Sequence, residues 1–147
     1  MKVLLQRVIQ ASVSVGGGEV AQIGRGVVCL VGVARGDTED DARYLVDKTI
    51  NLRIFPDEAG RLNLSLLDIE GQILAVSQFT LLADTRRGRR PGFTQAAAPV
   101  DAETLFNRFV ELAKAAGPKV ETGCFQRHML VNIHNDGPVT ILLDSRL

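Results

Sequence analysis

Ser77, Gln78, Phe79 and Thr80 stand where a long apolar stretch, "GQILAVSQFTLL" at 71–82, turns polar. Buried hydroxyls and amides must be hydrogen-bonded within the fold or serve a ligand, and strand ends are where scaffolds present reactive groups. Thr80 carries the hydroxyl of a nucleophile, but the residues beside it include no His, Lys or Asp to take its proton. A second chemistry needs no side-chain base. In it the main-chain N–H groups of Phe79 and Thr80 stabilise a developing oxyanion, while Ser77 and Gln78 fix the polar ends of a substrate. The third reading is a strand end whose polar side chains simply bond neighbouring backbone.

Three other places hold charged or unusual residues. "DTRRGRRPGF" at 84–93 packs Arg86, Arg87, Arg89 and Arg90 around a glycine. Like charges so close together repel unless an anion visits, so the loop is either a solvated surface or a docking place for a phosphate backbone. Arg7 falls on the same side of an alternating stretch as Val3, Leu5, Ile9, Ala11, Val13 and Val15. A guanidinium there is costly unless it finds acceptors or snorkels into water. Gly137-Pro138, inside "HNDGPVTILLD", reads locally as a turn, because Asn, Asp, Gly and Pro are the usual turn residues.

The two cysteines, Cys29 and Cys124, form neither a Cys-x-x-Cys pair nor a zinc-ligand spacing. Cys29 reads as a small buried hydrophobe. Cys124, four residues before His128, offers a nucleophile and a base without the flanking signature such enzymes carry. His128 and His134 have no carboxylate spaced to join them, so no metal site is expected. Phe125 and Met129 read as core or as soft walls of a pocket.

The elements that must hold these residues follow from periodicity. Residues 3–15 alternate as a strand and enter a hairpin at "GGGE", a glycine-rich turn that matches no phosphate-binding fingerprint. "GVVCLVGVA" at 26–34 is continuously apolar, as in a strand buried on both faces. A helix follows, with Thr38 as N-cap, Asp41 completing an imperfect capping box, and Ala42, Leu45, Val46 and Thr49 inward. Residues 71–82 make a further central strand. A second helix is expected over Asp101–Ala116, with Leu105, Phe109, Leu112, Ala113 and Ala116 inward, stopping at Gly117-Pro118. Two last strands, "MLVNIHN" and "VTILLDS", flank Gly137-Pro138 as a hairpin. The expected fold is α/β: a mixed β-sheet or partly closed barrel with two helices packed on it, in one domain over 1–147.

The totals narrow the partners. Seventeen basic and 17 acidic residues cancel, so net charge by itself names none. Gln6, Arg7 and Gln10 interrupt the apolar N-terminal residues and no run is long enough for a bilayer, so a cytoplasmic protein without membrane partners is expected.

"SQFTL" at 77–81 and "NDGPVT" at 135–140, in a chain beginning "MKVLLQRV", closely resemble the D-aminoacyl-tRNA deacylase family, essentially end to end. The resemblance implies an obligate homodimer that hydrolyses the ester between a D-amino acid, or mischarged glycine, and the terminal adenosine of tRNA. It implies a cis Gly137-Pro138 bond projecting into the partner's pocket, where main-chain carbonyls bind the substrate's amino group and exclude an L side chain. Arg7 would anchor those carbonyls. The RNA 2′-hydroxyl would assist cleavage, with the N–H groups of Phe79 and Thr80 on the oxyanion, and Gln78, Phe125 and Met129 would line the adenosine and aminoacyl pocket. The resemblance implies no metal or organic cofactor. Two other readings stand beside it: a threonine-nucleophile hydrolase acting on another ester, and a non-catalytic RNA-binding module that uses the arginine loop.

Overall fold

Branched apolar residues in alternation make Lys2–Val15 a strand, β1, which the Gly16-Gly17 turn reverses into β2 (Gly18–Ile23) in a computed structural model describing residues 1–147. The apolar run becomes β3 (Gly26–Gly32), and α1 (Glu39–Asn51) follows. Its start is fixed as expected: the Thr38 N–H donates to Asp41 Oδ2 (2.7 Å) and the Asp41 N–H to the Thr38 carbonyl (3.1 Å). A small ribbon, β4 (Phe55–Pro56) and β5 (Leu62–Leu64), leads to β6 (Gln72–Ser77), then α2 (Pro99–Ala115), β7 (Val120–Thr122) and β8 (Leu130–Asp144).

The main sheet runs β2-β1-β3-β6-β7, with β8 on the far side of β1. It is mixed, because β6 lies parallel to β3 and β7 while β1 is antiparallel to all its partners. β2 curls over toward β6, and the Gly24 N–H donates to Gln72 Oε1 (2.9 Å), giving the partly closed barrel. Two apolar layers follow. Val27, Cys29, Val31, Ile73 and Ala75 pack beneath the helices with Leu45 and Phe109, and Val28, Leu74 and Val76 fill the barrel side with Ala11 and Val13. β3 and β6 are thus buried on both faces, which is why their sequences show no alternation.

Four expectations need correction. Val3 and Leu5 belong to the helix-covered layer, whereas Ala11 and Val13 belong to the barrel side, and Ile9 is 59% exposed. The pairing slips between Val8 and Ala11, and one extra residue turns every later side chain to the opposite face. The strand at 71–82 stops at Ser77, and Phe79–Leu82 form a 3-10 turn. The second helix begins at Pro99 rather than Asp101, with its Pro in the first turn, where the missing N–H costs nothing; Ala116 lies beyond it, exposed.

The fourth concerns Gly137-Pro138, which is no hairpin. β8 runs antiparallel to β1 from Leu130↔Ser14 to Asp144↔Lys2 without reversing. Gln6 pairs with Thr140 and Val8 with Asn135, so the residues between, Asp136–Val139, have no partners on β1 and bow out of the strand. The Gly137-Pro138 peptide bond in this bow is cis.

Candidate active site

The end of β6 is pinned before it turns. The Gln78 N–H donates to the Val31 carbonyl (2.8 Å), and a Cβ on Gly32 would crowd Leu82 Cδ2 (2.7 Å) and the Gln78 carbonyl (3.1 Å), so glycine suits the close approach of the 3-10 turn to β3. The first bond of the turn comes from the Leu81 N–H to the Gln78 carbonyl (3.3 Å). The N–H groups of Phe79 and Thr80 precede that bond, as the leading donors of any helical turn do.

Ser77, Gln78 and Phe79 line one side of a cavity of about 840 Å³, and Phe125 and Met129 line it from the loop before β8. That volume suits a small molecule or the end of a larger one. The Phe79 ring meets Phe93 edge to face, with centroids 4.9 Å apart, and this fixes the rim. Met129 does both jobs left open for it, since it also packs on the barrel-side apolar layer. Phe93 and the small residues Ala96–Ala98 complete the wall and were missed in the sequence, where three successive alanines ahead of a helix carry no chemical signal.

Thr80 is not among the lining residues. Its hydroxyl accepts a hydrogen bond from the Gln78 amide, which cannot take a proton, so the threonine is unactivated.

Arg7 is 8% exposed and does not snorkel. Its Nε donates to the Asp136 carbonyl (3.0 Å) and its Nη1 to the Ile54 carbonyl (2.7 Å), tying the start of the bow to the segment after α1. The anchored carbonyl therefore precedes Gly137-Pro138, a correction to the expectation that Arg7 holds the carbonyls of the pair itself. Gly137 has φ +127°, and a Cβ there would lie 3.0 Å from Arg7 Nη2. Gly137 and Pro138 are exposed and outside the wall of this chain's own cavity.

The arginine loop is closed at its neck by two bonds between Asp84 and Gly92 (2.7 and 2.9 Å) and so stays next to Phe93 and the cavity rim. Within it Arg86 is engaged twice by Asp84, Nε to Oδ1 at 2.9 Å and Nη2 to Oδ2 at 2.7 Å. Those bonds hold the Asp84 carboxyl far below the usual carboxylate range. Arg87, Arg89 and Arg90 are exposed and make no ion pair.

The cysteine readings separate on burial. Burial pushes the Cys29 thiol up to about 12. Cys124 is only half-buried, and its N–H donates to Met129 Sδ (3.3 Å). A thiol reagent at pH 8 should label Cys124 in the folded protein and reach Cys29 only after denaturation. Equal labelling of both in the native state would show that β3 opens readily. No group of three or more His, Cys, Asp or Glu side chains is placed to hold a metal ion, and no helix is long and apolar enough to cross a membrane.

Comparison with known proteins places this geometry. The family model described as D-Tyr-tRNA(Tyr) deacylase matches residues 4–144. A D-aminoacyl-tRNA deacylase of Dehalococcoides mccartyi is 57% identical over 99% of this chain and 95% of its own length. The protein of that name from Desulforamulus reducens is 56% identical over 99% of this chain and 98% of its own. Among solved structures, one titled c-Myc DNA Unwinding Element Binding Protein superposes with a TM-score of 0.94 at 41% identity, covering 98% of both chains. A probable eukaryotic D-amino acid tRNA deacylase shares the fold, with a TM-score of 0.81 at 22% identity over 97% of each chain. With a match from residue 4 to residue 144 and relatives above half identity along nearly the whole length, the chain belongs to the D-Tyr-tRNA(Tyr) deacylase family.

Proposed function

We propose that the protein hydrolyses the ester of D-aminoacyl-tRNA, and of glycine mischarged on other tRNAs, releasing tRNA and the free amino acid. The observation that carries this reading is the cavity that Ser77, Gln78 and Phe79 line at the start of the 3-10 turn, with the Phe79 and Thr80 N–H groups ahead of the turn's first bond and a threonine with no base beside it. Water adds to the ester carbonyl carbon, and the oxyanion that forms is met by those two N–H groups. The proton lost by the water passes by way of the vicinal 2′-hydroxyl to the leaving 3′-oxygen as the C–O bond breaks. Gln78, Phe125 and Met129 hold the adenosine and the aminoacyl group, with Ser77 beside them.

Selectivity would come from a second copy of the chain. β8 pairs with β1 along one edge only, and Leu130 (62% exposed) and Leu142 (54% exposed) lie on it to either side of the bow. A long free edge strand with exposed leucines is a ready association surface. In a homodimer built there, the main-chain carbonyls of Gly137 and Pro138 would enter the partner's cavity, accept the substrate's α-ammonium and leave no room for an L side chain. Such a site works in the cytoplasm, where tRNA is charged, and uses no cofactor.

The test is deacylation of matched D- and L-aminoacyl-tRNA. Preferential loss of the D ester is expected, and equal rates would sink the proposal. Thr80→Ala should keep most of the turnover, since its N–H remains; abolished turnover with intact binding would favour the threonine-nucleophile reading.

A second reading, nucleic-acid binding without catalysis, is favoured by the three free arginines and by the name of the 41%-identical neighbour. Removing Arg87, Arg89 and Arg90 together should weaken tRNA binding and flatten the salt dependence of log K by roughly two to three units, about 0.9 for each phosphate no longer neutralised. Arg86→Ala should change that slope least, because Asp84 already engages its guanidinium. An unchanged slope in the triple variant would leave the loop as a solvated surface.

A further inference from the structure

We propose that Arg35 and Arg127 seat the phosphodiester immediately 5′ to the terminal adenosine, an inference that rests on the deacylase reading. They are the only Lys, Arg, Asp or Glu side chains lining the cavity. Neither is in an ion pair, whereas Arg7, Arg43, Arg86, Arg108 and Arg146 all are. An apolar cavity rimmed by two free guanidiniums and no carboxylate selects an anion.

The substrate has one in the right part of its structure. Its aminoacyl end is an ammonium and a neutral ester, and its adenosine is neutral, so the first negative charge met along the RNA is that phosphodiester. Guanidinium suits phosphate because its planar fork can give two charge-assisted bonds.

Both arginines are held by their backbones. The Arg35 N–H donates to the Gln95 carbonyl (2.9 Å), and the Arg35 carbonyl accepts from the Arg146 guanidinium. The Arg127 N–H donates to the Cys124 carbonyl (3.3 Å), next to Gln126, which sits in the left-handed region at φ 59°. Arg35 also borders a second cavity, between the helices, but there four carboxylates, Asp37, Glu39, Asp101 and Glu111, outnumber Arg35 and Arg108, so its lining is net negative and disfavours a polyanion. The strand is therefore turned away from the helices and across the 124–129 loop. Arg87, Arg89 and Arg90 are outside the cavity wall and would meet phosphates farther along.

The test compares three D esters: full D-aminoacyl-tRNA, 3′-O-D-aminoacyl-adenosine, and the same nucleoside carrying a 5′-phosphate. Wild type should prefer the phosphorylated minimal ester over the unphosphorylated one by about tenfold in kcat/KM, mainly through KM. The double variant R35Q/R127Q should lose that preference and a similar factor on tRNA, while cleaving the unphosphorylated ester as wild type does. A wild type without the preference, a double variant that keeps it, or an equal loss on all three esters would overturn the proposal. If wild type cleaves none of the D esters, the deacylase reading itself falls, and this proposal with it.

Discussion

Gly137→Ala is expected to lower deacylation of D-aminoacyl-tRNA by at least about a hundredfold, the scale set by displacing a positioning group by roughly an ångström. At φ +127° an L side chain is strained by about 1–3 kcal/mol. The new Cβ would also press on Arg7 Nη2 and Val139 Cγ2, both at 3.0 Å, and on the Val139 N–H at 3.2 Å. Arg7 is buried and doubly bonded, so it cannot yield; the bow must move instead. Because Gly137 is exposed and outside both apolar layers, the cost stays local: the variant should remain folded, with a melting temperature lower by several degrees at most. Rates on D- and L-aminoacyl-tRNA, measured beside thermal unfolding, decide it. A folded Gly137→Ala protein with wild-type rate and wild-type D-over-L selectivity would remove Gly137 from the site.

Arg7→Ala should destabilise the fold by roughly 2–4 kcal/mol and abolish turnover. The change leaves the buried Ile54 carbonyl and the Asp136 carbonyl without their donor, and it opens a cavity where the guanidinium lay. Little of the loss comes from the charge pairing with Asp136, whose carboxylate is 43% exposed at 3.4 Å. Arg7→Lys should rescue only part of it, because one ammonium cannot span two carbonyls as a guanidinium fork does. Urea unfolding gives the stability, and assays well below the denaturation midpoint separate the rate from it. An unchanged midpoint in Arg7→Ala would mean that the bow stands without its anchor.

What the chain reveals about itself differs from element to element. Thr38 and Asp41 cap α1 as expected, because a capping box is settled within four residues. The double-sided burial of β3 was equally plain, since an unbroken run of branched apolar residues fits little else. β1 was misjudged at Ile9: alternation assumes constant register, and a slip depends on the partner strands rather than on the strand itself. Gly137-Pro138 misled for the same reason. Its turn residues are real, but the register of β8 on β1 makes them an outward bow and not a reversal.

The site divides along the same line. Polar residues at the end of an apolar strand marked Ser77, Gln78 and Thr80, of which only Ser77 and Gln78 line the cavity, and a guanidinium on an apolar face marked Arg7 as in need of acceptors. Which acceptors it found, the carbonyls of Ile54 and Asp136, lay 47 and 129 residues away and left no trace in the sequence. Main-chain groups carry no sequence signal at all, since every residue but proline has the same N–H and C=O. So the residues by themselves determined the two-helix mixed sheet and the family, and left Phe125 and Met129 open between core and cavity wall. Only the tertiary structure decided which carbonyls Arg7 meets and that Arg35 and Arg127 share one rim, because each is a matter of which distant groups long-range packing brings together, whereas the Asp84–Arg86 and Gln78–Thr80 bonds join residues two apart and are local.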